Sequence, residues 1–314
     1  VILPPLRPLS TPTTLLLLSL LAACGGGGGS SSGLAPHAPT YSEILLGSPT
    51  TIDGTLQNYR LDTAQITPAS GGGDGNKIEG TVSGSSGSLT SITITVTFEG
   101  NRLFTETFDA FASPTYWPLA PLTYRYQEKT LTGSGTAKIS FFEPQALGLT
   151  YSALGLWECE GCVTGTASVG GYFSMGAITQ GSDIPISGSA AYNGKLIGTY
   201  ADGSKVYEVG ATATATANYT FTSPSVLLTT NNTVIVEKGM TTQISRDDLN
   251  LSGTLTYTGG TNHLTGTLTT GSGMTGPAAA RFYGPQAAEL GGTFFVKNTG
   301  NTEQMVGGFA LKKE

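Results

Sequence analysis

Leu89-Thr90-Ser91-Ile92-Thr93-Ile94-Thr95-Val96-Thr97-Phe98 alternates apolar side chains with threonine at a period of two, the pattern of a strand that buries one face. Glu99-Gly100-Asn101 follows as a turn. Residues 102–108 then alternate again through Leu103, Phe104 and Phe108, so the two runs predict a hairpin. Runs over 136–142 and 151–157 continue the meander, and no segment carries a 3.6-residue apolar stripe. The fold class expected is all-β.

Beyond about residue 170 the texture changes to many short Gly/Thr-rich strands. Runs are expected at 172–179, 186–192, 195–200, 206–209, 211–221, 233–236, 249–257, 264–269, 279–283, 292–296 and 305–311. Turn pairs at Asn193-Gly194, Asp202-Gly203 and Gly259-Gly260 separate them, and this even spacing predicts an antiparallel barrel. A barrel that spans a membrane needs apolar outward faces and aromatic girdles. Ala211-Thr212-Ala213-Thr214-Ala215-Thr216-Ala217 instead turns threonine outward, so a soluble barrel carried outside the lipid is expected.

Composition narrows the function. In 314 residues there are 45 glycines, about twice the average share, and only 11% charged residues. A net charge of -6 with no basic stripe leaves nothing to neutralise phosphates, so no nucleic-acid partner is expected. Two histidines and three cysteines are scant material for a metal centre or a catalytic triad. No Gly-x-Ser-x-Gly elbow, P-loop or dinucleotide fingerprint stands in usable context. No catalytic residues, metal or cofactor are therefore expected.

Leu15-Leu16-Leu17-Leu18-Ser19-Leu20-Leu21-Ala22-Ala23-Cys24 is an apolar run of signal-peptide length, shorter than the roughly 20 residues a spanning helix needs. Leu21-Ala22-Ala23-Cys24 resembles the lipobox of bacterial lipoproteins. That resemblance implies cleavage before Cys24 and lipid attachment to its thiol, which anchors the chain in a membrane. Gly25 to Gly29 and Ser30-Ser31-Ser32-Gly33 follow as a flexible tether. The expected organisation is a signal peptide over 1–23, a tether over 24–40 and a folded body from Tyr41.

Phe282-Tyr283-Gly284-Pro285-Gln286-Ala287-Ala288-Glu289-Leu290-Gly291-Gly292-Thr293-Phe294 resembles the F-x-G-P-x-A-x-E-x-G-G-x-F motif that closes the barrel of transferrin-binding protein B and related surface lipoproteins. Val306-Gly307-Gly308-Phe309-Ala310-Leu311-Lys312-Lys313 is similar to that family's terminal strand, and Asp183 to Gly194 to the barrel's opening strand and turn. The resemblance covers about residues 165–314. It implies an N-terminal sheet-rich handle over 41–165 followed by an eight-stranded antiparallel barrel over 166–314, with room for one such lobe. Single-lobed relatives include factor H-binding protein and haemoglobin- or haem-capturing lipoproteins.

The function so implied is capture at the outer membrane surface of a host or environmental protein or a haem-type ligand, for iron or haem acquisition. A TonB-dependent outer-membrane receptor is the expected companion. Two other readings stand beside it: a structural or immune-shielding surface lipoprotein, and a lipocalin-like barrel that holds a small apolar ligand.

Within the motif, Gly284 and the Gly291-Gly292 pair are expected at positive φ or at close backbone approach, and Pro285 at the start of a turn. Ala288 completes the fixed positions, and Glu289 is expected to accept N–H bonds from the following turn. Cys159-Glu160-Gly161-Cys162 lies between two strand-like runs and reads as a disulfide stapled across a hairpin turn; a redox pair and half of a metal site are the alternatives. A zinc set would have to enlist His37 from the tether. His263 lies in a Gly-rich loop, where haem ligation stands against the alternative of a solvated loop histidine. Residues 111–126 gather aromatics and prolines in an expected loop. There Tyr116, Trp117, Tyr124 and Arg125 are the candidate ligand contacts, against the alternative that the loop folds its aromatics onto the handle core.

Overall fold

A computed structural model describes residues 50–314 except 63, 70–76, 86–87, 110, 112–114, 117–118, 120–121, 132–134 and 143. Cys24, His37, the expected signal and tether, and Trp117 lie outside the described residues. Two antiparallel sheets account for the described strands.

The first sheet runs in the order β5 (Asn101–Phe108), β4 (Ser88–Phe98), β3 (Lys77–Ser85), β1 (Thr50–Asp62), β10 (Ser168–Gly176), β9 (Ser152–Glu160), β8 (Thr136–Phe142), β7 (Thr123–Thr130) and β6 (Thr115–Tyr116), with β2 (Gln65–Pro68) paired to β1. The expected hairpin is β4–β5, turned through Glu99 and Gly100 at φ 51° and 81°. Its inward side chains Ile92, Ile94, Val96, Phe98, Phe104 and Phe108 pack with Trp157 and Phe173 of β9 and β10, so the sheet folds over on itself around one core. Trp157 is fully buried, meets Phe98 and Phe104 edge to face, and donates its indole N–H to Asn58 at 3.1 Å. Burying the only polar atom of an indole costs little when it is paired in this way.

The second sheet is an up-and-down barrel of β11 (Ser189–Ala201), β12 (Val206–Asn218), β13 (Ser225–Glu237), β15 (Leu251–Thr256), β16 (Leu264–Thr270), β17 (Thr275–Tyr283), β18 (Glu289–Lys297) and β19 (Gln304–Lys313). A short β14 (Gln243–Ser245) adds to the far half of β13. β19 returns to β11 from Tyr192↔Lys313 to Ala201↔Gln304 and closes eight strands. Ala211, Ala213, Ala215 and Ala217 point inward and Thr216 outward, as the alternation predicts.

Two expected breaks are continuous strand. Asn193-Gly194 is not a turn but the middle of β11, where a Cβ on Gly194 would stand 2.1 Å from the Ala310 carbonyl oxygen of the closing strand. The glycine serves close backbone approach. Likewise the expected runs 206–209 and 211–221 are joined in the single β12, which ends at Asn218 and has a bulge against β13 between Gly210 and Thr212. β10, on the C-terminal side of the 165/166 boundary expected from the sequence, is hydrogen-bonded between β1 and β9 in the first sheet.

The barrel lumen is filled. Tyr192, Leu196, Leu228, Leu255, Leu268, Phe282, Phe294 and Phe309 join one buried cluster that draws on all eight strands. Such packing leaves no chamber of the kind a lipocalin-like ligand requires.

Candidate functional site

Handle and barrel meet along strands buried on both faces. β9 alternates Trp157 and Cys159 toward the handle core with Leu154 and Leu156 toward the barrel. Those leucines, with Tyr59 and Tyr172, pack against the outer barrel residues Ile197, Phe295, Val306 and Ala310. Sequences of such strands read as near-continuous apolar runs instead of alternations, as β18 and β19 do.

The motif at 282–294 builds one side of this seam. Gly284 has φ +74°, and a Cβ there would fall 2.4 Å from the Tyr151 ring. Pro285 is exposed in the turn, and Gln286 and Ala287 both adopt positive φ. Ala288 is half-buried, and its carbonyl accepts from the Lys313 amide at 2.9 Å. Gly291 and Gly292 sit at close approach: a Cβ would meet Ser174 Oγ at 2.1 Å in the first case and the Phe309 ring at 2.4 Å in the second.

Glu289, 1% exposed, does not bond the turn that follows it. It accepts the backbone N–H of Thr150, the N–H of Tyr151 at 3.2 Å and the hydroxyl of Ser152 at 2.7 Å, all from the handle. Burial pushes its carboxyl above the usual carboxylate range, against the lowering effect of these donors. Tyr283 adds a bond from its hydroxyl to the Ser174 carbonyl at 2.9 Å. The motif is thus a clasp of barrel on handle.

Elsewhere along the seam a cleft of about 80 Å³ opens between β1, β7, β8, β9 and β10 of the handle and β11 and β12 of the barrel. Tyr59 and Tyr172 stack at 6.2 Å on its wall, and the Tyr172 hydroxyl meets that of Thr199 at 2.9 Å. Glu158 of β9 and Glu208 of β12 line it from opposite sheets together with Lys138 and Lys238. Lys238 pairs with Glu158 at 3.3 Å; Lys138 reaches Glu128 at 3.7 Å and lies 4.5 Å over the Tyr126 ring. Burial raises the Glu208 carboxyl above the ordinary range.

The aromatic segment borders this cleft. Tyr116 pairs through its backbone with Thr123. Leu119 and Leu122 are buried in the handle–barrel cluster, with Leu119 against Gly210 of β12. Tyr124 lines the cleft and packs on Phe142 and Tyr126, and burial raises its phenol above the ordinary value. Arg125 is half-buried on the opposite face of β7, opposite Phe141, so Tyr124 and Arg125 do not converge.

Cys159 and Cys162 are bonded to each other, Cα–Cα 5.8 Å. The chain between them is not a two-residue hairpin turn: β9 runs on to Glu160, which pairs with Ser168, and a loop fills 161–167. His263 is exposed in the loop between β15 and β16. Its neighbour Asn262, buried and unremarked in the sequence, donates to the carbonyls of Thr179 and Phe282 at 2.8 Å each and accepts the Phe282 N–H. Neither Asn262 nor the Glu158–Glu208 approach had a local signal, because each depends on partners brought together only by sheet register.

No curated protein matches the chain. Among solved structures, a tryptophan-to-alanine variant of transferrin binding protein B from Haemophilus parasuis Hp5 is 11% identical, covering 85% of this chain and 76% of that one at a TM-score of 0.41. Isotype 1 transferrin binding protein B from serogroup B Neisseria meningitidis is 14% identical, covering 80% of this chain and 56% of that one at a TM-score of 0.39. Residues 184–313, the closed barrel with its clasp, match the family of C-lobe and N-lobe beta barrels of Tf-binding protein B, and the fold is transferrin-binding-protein-B-like.

Proposed function

We propose that this chain is a lipid-anchored protein of the outer membrane surface that binds a host protein or a haem-type ligand on its exterior and so serves iron or haem acquisition. The observation that carries this reading is the match of residues 184–313 to the barrels of Tf-binding protein B, combined with a lumen filled by side chains. A barrel packed solid acts as a scaffold, so recognition falls to its loops, the handle and the seam between them. The Leu-Ala-Ala-Cys sequence ending at Cys24 supplies the anchor, and the glycine run after it gives the body reach. Handing cargo to a TonB-dependent receptor completes the uptake scheme.

Immobilised full-length protein in detergent, exposed in turn to transferrin, haemoglobin and haemin, tests the reading. Saturable binding of one of them supports it. Failure of all three favours the shielding alternative.

A further inference from the structure

The two ends of the barrel differ in charge. Strand pairing from Ser189↔Asn218 through Asn218↔Ser225, Ser225↔Thr256 and Thr256↔Thr265 to Tyr283↔Glu289 brings the loops 184–188, 219–224, 257–263 and 284–288 to one rim. None of the four contains Asp, Glu, Lys or Arg. The loops at the opposite end carry Asp202, Lys205, Arg246, Asp247, Asp248 and Glu303. Ile186 and Phe221 stand out from the uncharged rim, 66% and 56% exposed. The Tyr219 amide bonds the Gly188 carbonyl at 3.0 Å and ties their loops side by side, and the Phe221 ring lies against Gly259. Beside this rim Asp183 and Lys312 are opposite in sign, while Arg281, Lys313 and Glu314 are bonded back to Asn262, Gln286 and Asn193. Met240 and Ile244 are also exposed, but at the charged end.

The chain that leads from Cys24 enters the folded body at this same end. β1 starts at Thr50, Asp53 pairs with Gly176, and Ile178 then bridges to Tyr283 at the rim. We propose that the uncharged rim rests on a phospholipid surface, with Ile186 and Phe221 entering the headgroup layer as a second contact beside the lipid on Cys24. The proposal rests on that lipid anchor and adds to it a fixed orientation of the body. Loops that enter a headgroup layer lose water, which is costly for charged side chains and favourable for apolar and aromatic ones. Only one end of the barrel meets that condition, and an exposed apolar patch among polar residues is what such contact leaves on a surface. A lipid signal also holds more firmly when a second contact joins it. The charged end then points away from the membrane.

Full-length protein is reconstituted on phosphatidylcholine vesicles whose acyl chains carry bromine, a short-range quencher of tryptophan, and on unbrominated vesicles for reference. Phe221→Trp and Ile186→Trp put reporters on the uncharged rim and Met240→Trp puts one on the charged end, each read after subtraction of the wild-type emission. Emission from the two rim reporters is expected to fall at least twofold on the brominated vesicles, and that from Met240→Trp to stay unchanged. Protein that floats with the vesicles but shows no quenching at either rim position, or equal quenching in Met240→Trp, overturns the proposal and leaves the anchor standing. Protein that does not float with the vesicles overturns the anchor and the proposal together. Rim reporters that ignore lipid but shift to the blue with transferrin, haemoglobin or haemin identify a capture surface and likewise overturn it.

Discussion

The hydroxyl of Ser152 in the handle donates to Glu289 of the barrel at 2.7 Å, across 137 residues of sequence. With the amides of Thr150 and Tyr151 on the same carboxylate, it fixes where β9 begins relative to the barrel. Glu289→Ala should therefore destabilise the protein by on the order of 3 kcal/mol, because it strands buried donors that each cost about 1–3 kcal/mol unpaired. Glu289→Gln, which keeps an acceptor, should lose less. Urea unfolding of the two variants beside the wild type measures both.

The same carboxylate predicts a pH dependence. Its folded-state pKa is raised above the ordinary 4.5, chiefly by burial, so the folded chain holds the proton more tightly than the unfolded one. The contribution of Glu289 to stability is then fully present below the unfolded pKa and is lost as pH rises through the folded value. As pH rises above the ordinary value of 4.5, the wild type should lose stability relative to Glu289→Gln. A difference that does not change, or that grows in favour of the wild type, contradicts this assignment.

Gly284 and Gly100 separate two costs of adding a methyl group. Both have positive φ, +74° and +81°, but a Cβ at Gly284 strikes the Tyr151 ring, whereas at Gly100 nothing lies within 4 Å. Gly100→Ala should cost about 1 kcal/mol, the penalty of a left-handed backbone alone. Gly284→Ala should cost at least about 1 kcal/mol more, since overpacking adds to it. Thermal unfolding of the two variants side by side gives the comparison.

How much of this was legible in the sequence depended on whether the signal was local. The β4–β5 hairpin and the outward threonines of β12 followed from a period of two, which burial of one face enforces. Asn193-Gly194 misled because a glycine that admits the Ala310 carbonyl looks the same in sequence as a glycine that turns the chain. β10 has the Gly-rich texture of the barrel strands, while its hydrogen bonds belong to β1 and β9. The handle partners of Glu289 and the approach of Glu158 to Glu208 arise only when the two sheets dock. No spacing along the chain encodes either.

Reducing the Cys159–Cys162 bond should lower stability by about 2 kcal/mol, the loop-closure entropy of so short a loop. The fold should survive, because Cys159 is buried within a core that includes Trp157 and Phe173. Circular dichroism melts with and without a thiol reductant check both statements.

For the aromatic segment, the contact reading predicts that Tyr116→Ala with Trp117→Ala abolishes ligand capture while the melting temperature barely moves. The core reading predicts a loss of several kcal/mol, since truncating one buried aromatic costs about 3–5. Leu119 and Leu122 of the segment are buried in the handle–barrel cluster.

The central claim is capture at the cell surface by a lipid-anchored protein. Its most direct test counts labelled transferrin, haemoglobin and haemin bound to intact cells that carry the wild type or Cys24→Ser. The account predicts saturable binding of at least one ligand to wild-type cells, with the Cys24→Ser protein released from the membrane fraction and the binding lost with it. Wild-type cells that display the protein to external protease yet bind none of the three, or Cys24→Ser cells that retain it in the membrane at the same processed mass, would contradict the account.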